Sequence, residues 1–274
     1  MKDDLGDRMK FLEGIEAQRK FLPLLPICCR FDGRSFHNFT KGMKRPFDSV
    51  MSDMMVETTK FLVEEANACV GYTQSDEISL VLYSDTYKSQ VFFDGRIQKL
   101  VSVLASLATA KFLTLVMENT PDKVKELPVF DCRVWTVPNK EEAVATILWR
   151  EFDATKNSKS QLAQSKFSHN ELNGKTGEEK QEMLFSKFGI NWNDIEPRFK
   201  RGTYVQRKKS VRRFSTEELD KLPPKHAARK NPGLTFERSD VIVVDMPPLA
   251  TVINRVAVIF DGADPETLKK DNEK

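Results

Sequence analysis

Residues that act as soft metal ligands are scarce here. Among 274 residues there are three histidines (His37, His169, His226) and four cysteines (Cys28, Cys29, Cys69, Cys132). None of the cysteines sits in a CxxC pair, which argues against zinc held by Cys and His. So few cysteines in so long a chain also argue against a disulfide framework, and they read as buried thiols in strands. Long apolar runs are missing too. The longest apolar-rich segment, Lys99 to Met117, is interrupted by Ser102, Ser106, Thr109, Lys111 and Thr114, and a bilayer span needs roughly 20 apolar residues. The first eight residues are charged with no apolar stretch behind them, unlike a secretory signal. The expectation is a cytoplasmic protein with no membrane partner. An excess of one charge is also lacking: 43 Lys+Arg against 40 Asp+Glu leaves +3. What remains, 40% hydrophobic and 30% charged residues, is ordinary for a globular chain of one large or two small domains with a substantial core.

Charge is uneven locally. From Arg198 to Arg213 there are eight Lys/Arg and no acid. Such a run is either a solvated loop or a polyanion contact. Tyr204 and Phe214 flank part of it, as stacking residues or as core.

Apolar patterning gives the order of elements. Leu24 to Phe31 reads as a strand closed by Asp32-Gly33. Asp48 or Ser49 caps a helix running to about Asn67. Ala68 to Thr73 and Ile78 to Tyr83 form a hairpin around Gln74-Ser75-Asp76-Glu77. Arg96 to Met117 is a mostly buried helix, and Val129 to Val137 is a strand. Asn139 caps a further helix, with Glu142 as its capping-box partner. The order strand, helix, strand, strand, helix, strand predicts an α+β fold: a ferredoxin-like βαββαβ antiparallel sheet with helices on one face. Residues 1–138 then form a core with an N-terminal extension. Residues 139–274 form a helical and basic elaboration, with strand-like sequence at Val241 to Val244, packed on that core as one unit.

In this topology Asp32, at the end of the first strand, and Asp76, in the hairpin turn, converge on one sheet edge. Hard carboxylate oxygens there suit Mg²⁺, which takes one or two carboxylates, water and substrate phosphates, and two such ions serve phosphoryl transfer. Asp-Gly is also a common turn dipeptide, and Ser-Asp-Glu reads equally as a solvated hairpin tip. The run Gly33-Arg34-Ser35-Phe36-His37 adds backbone N–H groups, a guanidinium and an imidazole for a triphosphate.

Four segments in order carry a resemblance: Arg30-Phe31-Asp32-Gly33-Arg34-Ser35-Phe36-His37-Asn38-Phe39, then Gln74-Ser75-Asp76-Glu77-Ile78-Ser79, then Trp149-Arg150-Glu151-Phe152-Asp153 with Asn157, then Lys200-Arg201-Gly202-Thr203. From about residue 20 to 215 the chain resembles the tRNA-His guanylyltransferase family, the 3′-to-5′ nucleotide polymerases. The resemblance implies a polymerase-like palm. It implies Asp32, Asp76 and Glu77 as catalytic acids, with two Mg²⁺ on Asp32, the Gly33 carbonyl and Asp76. It implies a nucleoside triphosphate, GTP or ATP, held along Asp32, Gly33, Arg34, Ser35, Phe36 and His37, by Ser75 and Asp76, and by Arg96 and Lys99. It also implies tRNA as the partner, giving Arg201, Lys208, Lys209, Arg212 and Arg213 an RNA-binding reading, and a homo-oligomer, a tetramer. One departure is informative. The eukaryotic branch carries His-Ile-Asn-Asn where this chain has Thr155-Lys156-Asn157-Ser158. That resembles the guanylyltransferase-like branch, which repairs truncated tRNA 5′ ends by templated addition. Two alternatives stay open. A palm-domain nucleotidyl or diguanylate cyclase shares the metal site but needs no RNA surface. A non-catalytic RNA-binding relative would be free to lose Asp32, Asp76 and Glu77, which are present.

Overall fold

The structure is a computed structural model and describes residues 4–231 and 233–268. Six strands form one antiparallel sheet: β1 (Ile27–Gly33), β2 (Val70–Gln74), β3 (Glu77–Leu82), β4 (Phe130–Thr136), β5 (Thr203–Arg213) and β6 (Thr235–Val244), in spatial order β4-β1-β3-β2-β5-β6. The first four, with helices Ser49–Glu65 and Ile97–Asn119, make the expected βαββαβ unit. β5 and β6 come from the second half of the chain and extend the same sheet alongside β2.

Strand alternation gives the sheet two buried faces. Cys29 and Phe31 of β1, with Ile78 and Leu80 of β3, face helices Ser49–Glu65 and Ile97–Asn119, which contribute Met54, Leu62, Leu104 and Phe112. These two helices share one face, as the βαββαβ reading requires. Cys28, Val70, Tyr72, Val81 and Tyr204 face the other way, against Ala143 and Ile147 of helix Lys140–Gln164 and Val258 of helix Arg255–Asp261. The elaboration thus covers the side the core unit leaves bare.

Asp48 caps its helix, accepting from the Met51 N–H at 2.9 Å. Asn139 caps Lys140–Gln164, accepting from the Glu142 N–H at 2.8 Å; among the described residues Glu142 makes no return bond to complete the expected box. Helix Asp4–Ala17 buries none of its residues. The segment behind it is tied at Arg19 and Phe21, the Ile97 N–H donating to the Arg19 carbonyl and the Phe21 N–H to that of Gly95, both at 3.0 Å.

Helix Ile97–Asn119 corrects the reading of apolar runs. By length and composition it is apolar enough to cross a membrane, with a mean hydropathy of 1.9. Its interrupting hydroxyls are returned to the helix: Ser102, Ser106 and Thr114 donate to the Gln98, Ser102 and Ala110 carbonyls at 2.7, 2.8 and 2.9 Å. One face of it, including Leu100, Leu104, Ala108, Phe112 and Val116, is built into the core.

Candidate active site

The C-terminal end of β1 carries the first acid. Asp32 was expected just beyond the strand; it lies inside it, opposite Glu77 of β3 and Asp131 of β4. Asp76 sits in the two-residue turn between β2 and β3, where Ser75 takes a left-handed φ of 50°. The Gly33 N–H donates to the Asp76 carbonyl at 3.0 Å, tying the turn to β1. The two segments are thus in direct contact. A Cβ on Gly33 would stand 2.4 Å from the Phe36 ring, so only glycine fits there.

Burial pushes the Asp76 carboxyl above the usual carboxylate range; Asp32 and Glu77 add repulsion, while its own N–H and the Ser75 hydroxyl oppose the shift. Three acids converge without equal compensation. Arg133 of β4 approaches Asp32 at 3.6 Å and Asp131 at 3.3 Å. Glu77 is engaged elsewhere: Arg150, a buried guanidinium on helix Lys140–Gln164, donates to it at 2.5 Å and to Asp153 at 2.9 Å. Asn157, one turn on, donates to Asp153 at 3.1 Å. These partners of Glu77 were present in the sequence motif, but nothing in the motif says which acid Arg150 meets. Asp131 and Arg133 had no sequence signal.

Beside the Asp76 turn opens a cavity of about 510 Å³ between helices Ser49–Glu65 and Lys140–Gln164. His37, Ser75, Asp76, Asp48, Asn157 and Gln161 are among its lining residues. Arg34, Ser35 and His37 are exposed, and Ser35 takes a left-handed φ of 55° at the head of short helix Phe36–Phe39. The Arg34 N–H is bonded to the Val129 carbonyl at 2.9 Å, so this donor is not open to a phosphate. The Phe36 ring is core, 5.1 to 5.4 Å from the rings of Phe39, Phe112 and Phe130.

Arg96 and Lys99 are not brought to these acids. β3 ends at Leu82 beside Ile27, at the opposite end of the β1–β3 ladder from Asp32, and helix Ile97–Asn119 returns from there. Thr109 of that helix meets Phe130, which pairs with Gly33, the Phe130 N–H donating to its hydroxyl at 3.0 Å. Arg96 lies thirteen residues earlier, about 20 Å along the axis.

The basic run is not one cluster. β5 sends Lys208 and Arg212 to one face and Arg207 and Arg213 to the other. Lys208 is ion-paired with Asp264. Arg212 holds Glu218 through two bonds of 2.6 and 2.9 Å, pulling the Glu218 carboxyl down to about 2. The Lys209 side chain lies outside the described residues. The Arg201 carbonyl accepts from the Tyr72 hydroxyl at 2.6 Å. Tyr204 is internal, donating to buried Glu151 at 2.7 Å, and half-buried Phe214 already stacks on Phe236 at 4.1 Å.

Among the described residues no three His, Cys, Asp or Glu side chains form a ready-made metal cage. Two neighbouring carboxylates at the end of a palm-like sheet, Asp76 lining a cavity and Asp32 beside it, are the kind of arrangement that suits nucleotidyl transfer. The comparisons agree. The family described as tRNAHis guanylyltransferase matches residues 6–138, and the Thg1 C terminal domain matches residues 144–245. The tRNA(His) guanylyltransferase of Saccharomyces cerevisiae is 30% identical over 79% of this chain and 98% of its own. A bacterial Thg1-like protein solved with ATP is 39% identical with a TM-score of 0.70, covering 74% of this chain and 88% of its own. Another, solved with GTP, is 32% identical with a TM-score of 0.69 over 90% of this chain and 94% of its own. The S. cerevisiae structure gives 30% and 0.63. The chain belongs to the tRNAHis guanylyltransferase family and resembles the bacterial Thg1-like proteins more than the yeast enzyme. It is an enzyme of 3′-to-5′ nucleotide addition at a tRNA 5′ end.

Proposed function

We propose that this protein repairs truncated tRNA 5′ ends by templated addition, using ATP or GTP to activate a 5′-monophosphate and any nucleoside triphosphate the template calls for. The observation that carries this reading is the Thr155-Lys156-Asn157-Ser158 segment. Ser158 is buried, bonded to the Lys200 and Thr155 carbonyls and accepting from the Trp192 indole N–H at 3.1 Å. A residue so placed anchors the helix to Trp192 and Lys200 where Asn157, Ser158 and Gln161 line the cavity.

The donor set fits Mg²⁺: Asp32 and Asp76 are hard oxygen donors tied together through Gly33, and a cation between them would relieve their mutual repulsion. With the Gly33 carbonyl they would hold the ions, which when bound activate the attacking oxygen and neutralise the leaving phosphate. Exposed Arg34 and His37 position non-reacting phosphates, and the cavity beside Ser75 takes the nucleotide. No protein nucleophile is required. Arg213 and Arg201 supply tRNA backbone contacts. The N-terminal helix that buries nothing supports assembly of several copies, the tetramer the family resemblance implies.

The test is incubation with a tRNA lacking its first 5′ nucleotide, all four triphosphates and Mg²⁺, read at single-nucleotide resolution. The added base is expected to follow its Watson–Crick partner in the acceptor stem. Addition of G whatever the opposing base would overturn the templated reading.

A further inference from the structure

Two large aromatic side chains beside the acids have no function in the mechanism above. Trp149 and Phe152 lie three residues apart on helix Lys140–Gln164, on its outward face, and are 51% and 56% exposed. Lys156 follows on the same face and is also exposed. The opposite face of this helix is core, through Ala143, Ile147 and Ala154. The hydrophobic core therefore gives no reason for two aromatics on the outward face.

Their surroundings point to one kind of ligand. The Arg150 guanidinium lies 4.5 Å from the Trp149 ring centroid, and the Arg30 guanidinium 5.7 Å from it on the β1 side. Arg30 precedes Asp32 by two residues on the same sheet face, about 7 Å along the strand. Its Nε is buried without a hydrogen-bond partner. Arg150 reaches Glu77, which pairs with Asp32. The indole thus touches Arg30, which stands two residues before Asp32 on the same sheet face. Flat apolar faces flanked by Arg30, Arg150 and Lys156 match a stacked base followed by its phosphates, and every base offers such a face whatever its sequence.

We propose that Trp149 and Phe152 form the stacking platform on which the terminal bases of the tRNA acceptor end rest, setting the distance of its 5′ phosphate from Asp32. This rests on the tRNA-end reading given above. A second copy seated on the same face is the competing occupant. Sequence-independent stacking is what a repair enzyme needs at this point, because the end it receives differs from one truncated tRNA to the next.

The experiment uses full-length protein carrying Trp149→Ala, Phe152→Ala and, as the conservative change, Trp149→Phe. Both side chains are exposed, so thermal unfolding should stay at the wild-type midpoint. KM for truncated tRNA should rise at least about fivefold in each alanine variant, with KM for the triphosphate unchanged and Trp149→Phe close to wild type. Binding is read separately by titrating truncated tRNA against intrinsic fluorescence. Quenching is expected in the wild type and should be largely lost in Trp149→Phe, which keeps Trp135 and Trp192. Unchanged tRNA KM together with unchanged quenching would overturn the platform. So would a fall in assembly mass with tRNA affinity intact, which would assign the face to a second copy. Should the wild type extend no tRNA at all, the functional reading fails, and the quenching titration still decides whether this face binds RNA.

Discussion

Arg150 and Glu77 are 73 residues apart in sequence and 2.5 Å apart in space, and through Asp153 the same guanidinium reaches Asn157 at the cavity wall. A buried cation thus holds one of the acids while its helix lines the cavity beside Asp76. The Glu77 carboxylate is thus paired across the chain, while Asp76 beside it still feels its charge.

Removing Arg150 leaves Glu77 and Asp153 facing each other without their counter-charge. Arg150→Ala is expected to cost about 3 kcal/mol, in the range for breaking a buried pair from one side. Pairing it with Glu77→Gln should restore part of that loss. Urea unfolding of the single and double variants measures the coupling; additive effects would show that the contact carries no energy of its own.

Asp32→Ala and Asp76→Ala should each lower nucleotide addition by more than about 100-fold while unfolding remains cooperative. A second readout is the unfolding midpoint with and without Mg²⁺. An ion bound only to the native acids raises it, and either substitution should remove that rise. A variant that retains near wild-type turnover would leave the list of catalytic residues.

Burial pushes the Cys28 and Cys69 thiols up to about 11 and Cys132 to about 12. Native protein should resist alkylation at pH 8 and react fully only on unfolding. The folded state holds these protons more tightly than the unfolded chain. Their contribution to stability is therefore complete below pH 9 and lost as pH climbs towards 11 and 12. Urea midpoints at pH 8 and pH 10.5 should differ in that direction, and a triple Cys→Ser variant should shrink the difference.

Salt dependence of tRNA binding separates the members of the basic strand. Arg213 is exposed, whereas Arg212 is held by Glu218. Arg213→Ala should lower the logarithmic salt slope by about 0.7 to 0.9, the yield of one phosphate contact. Arg212→Ala should change it less. Equal effects would mean that Glu218 releases its arginine when RNA binds.

The core unit was legible because its strands and helices differ in period, and Asp48 and Asn139 announce their helices. The meeting of Asp32 with Asp76 followed from topology alone. Less was legible where side chains pair across the chain. Sixteen residues without an acid read as either a solvated loop or a polyanion contact; strand alternation divides the β5 members between two faces, and Glu218 and Asp264 pair with two of them. Arg96 and Lys99 are assigned by their position at the head of a helix in the family resemblance, which does not say that β3 delivers the chain to the end of the ladder opposite Asp32. The serines and threonines of helix Ile97–Asn119 looked like polar breaks because their bonds to its own carbonyls are invisible in the residue list.

The sheet runs unbroken through both halves of the chain, with β2 lying between β3 and β5. A stop codon in the linking region near residue 140 would therefore not yield a smaller enzyme. It would uncover the outer edge of β2, with Val70 and Tyr72 stripped of cover on one face, and such an edge recruits other chains. A chain shortened there is expected to self-associate through that strand rather than fold as a smaller soluble unit.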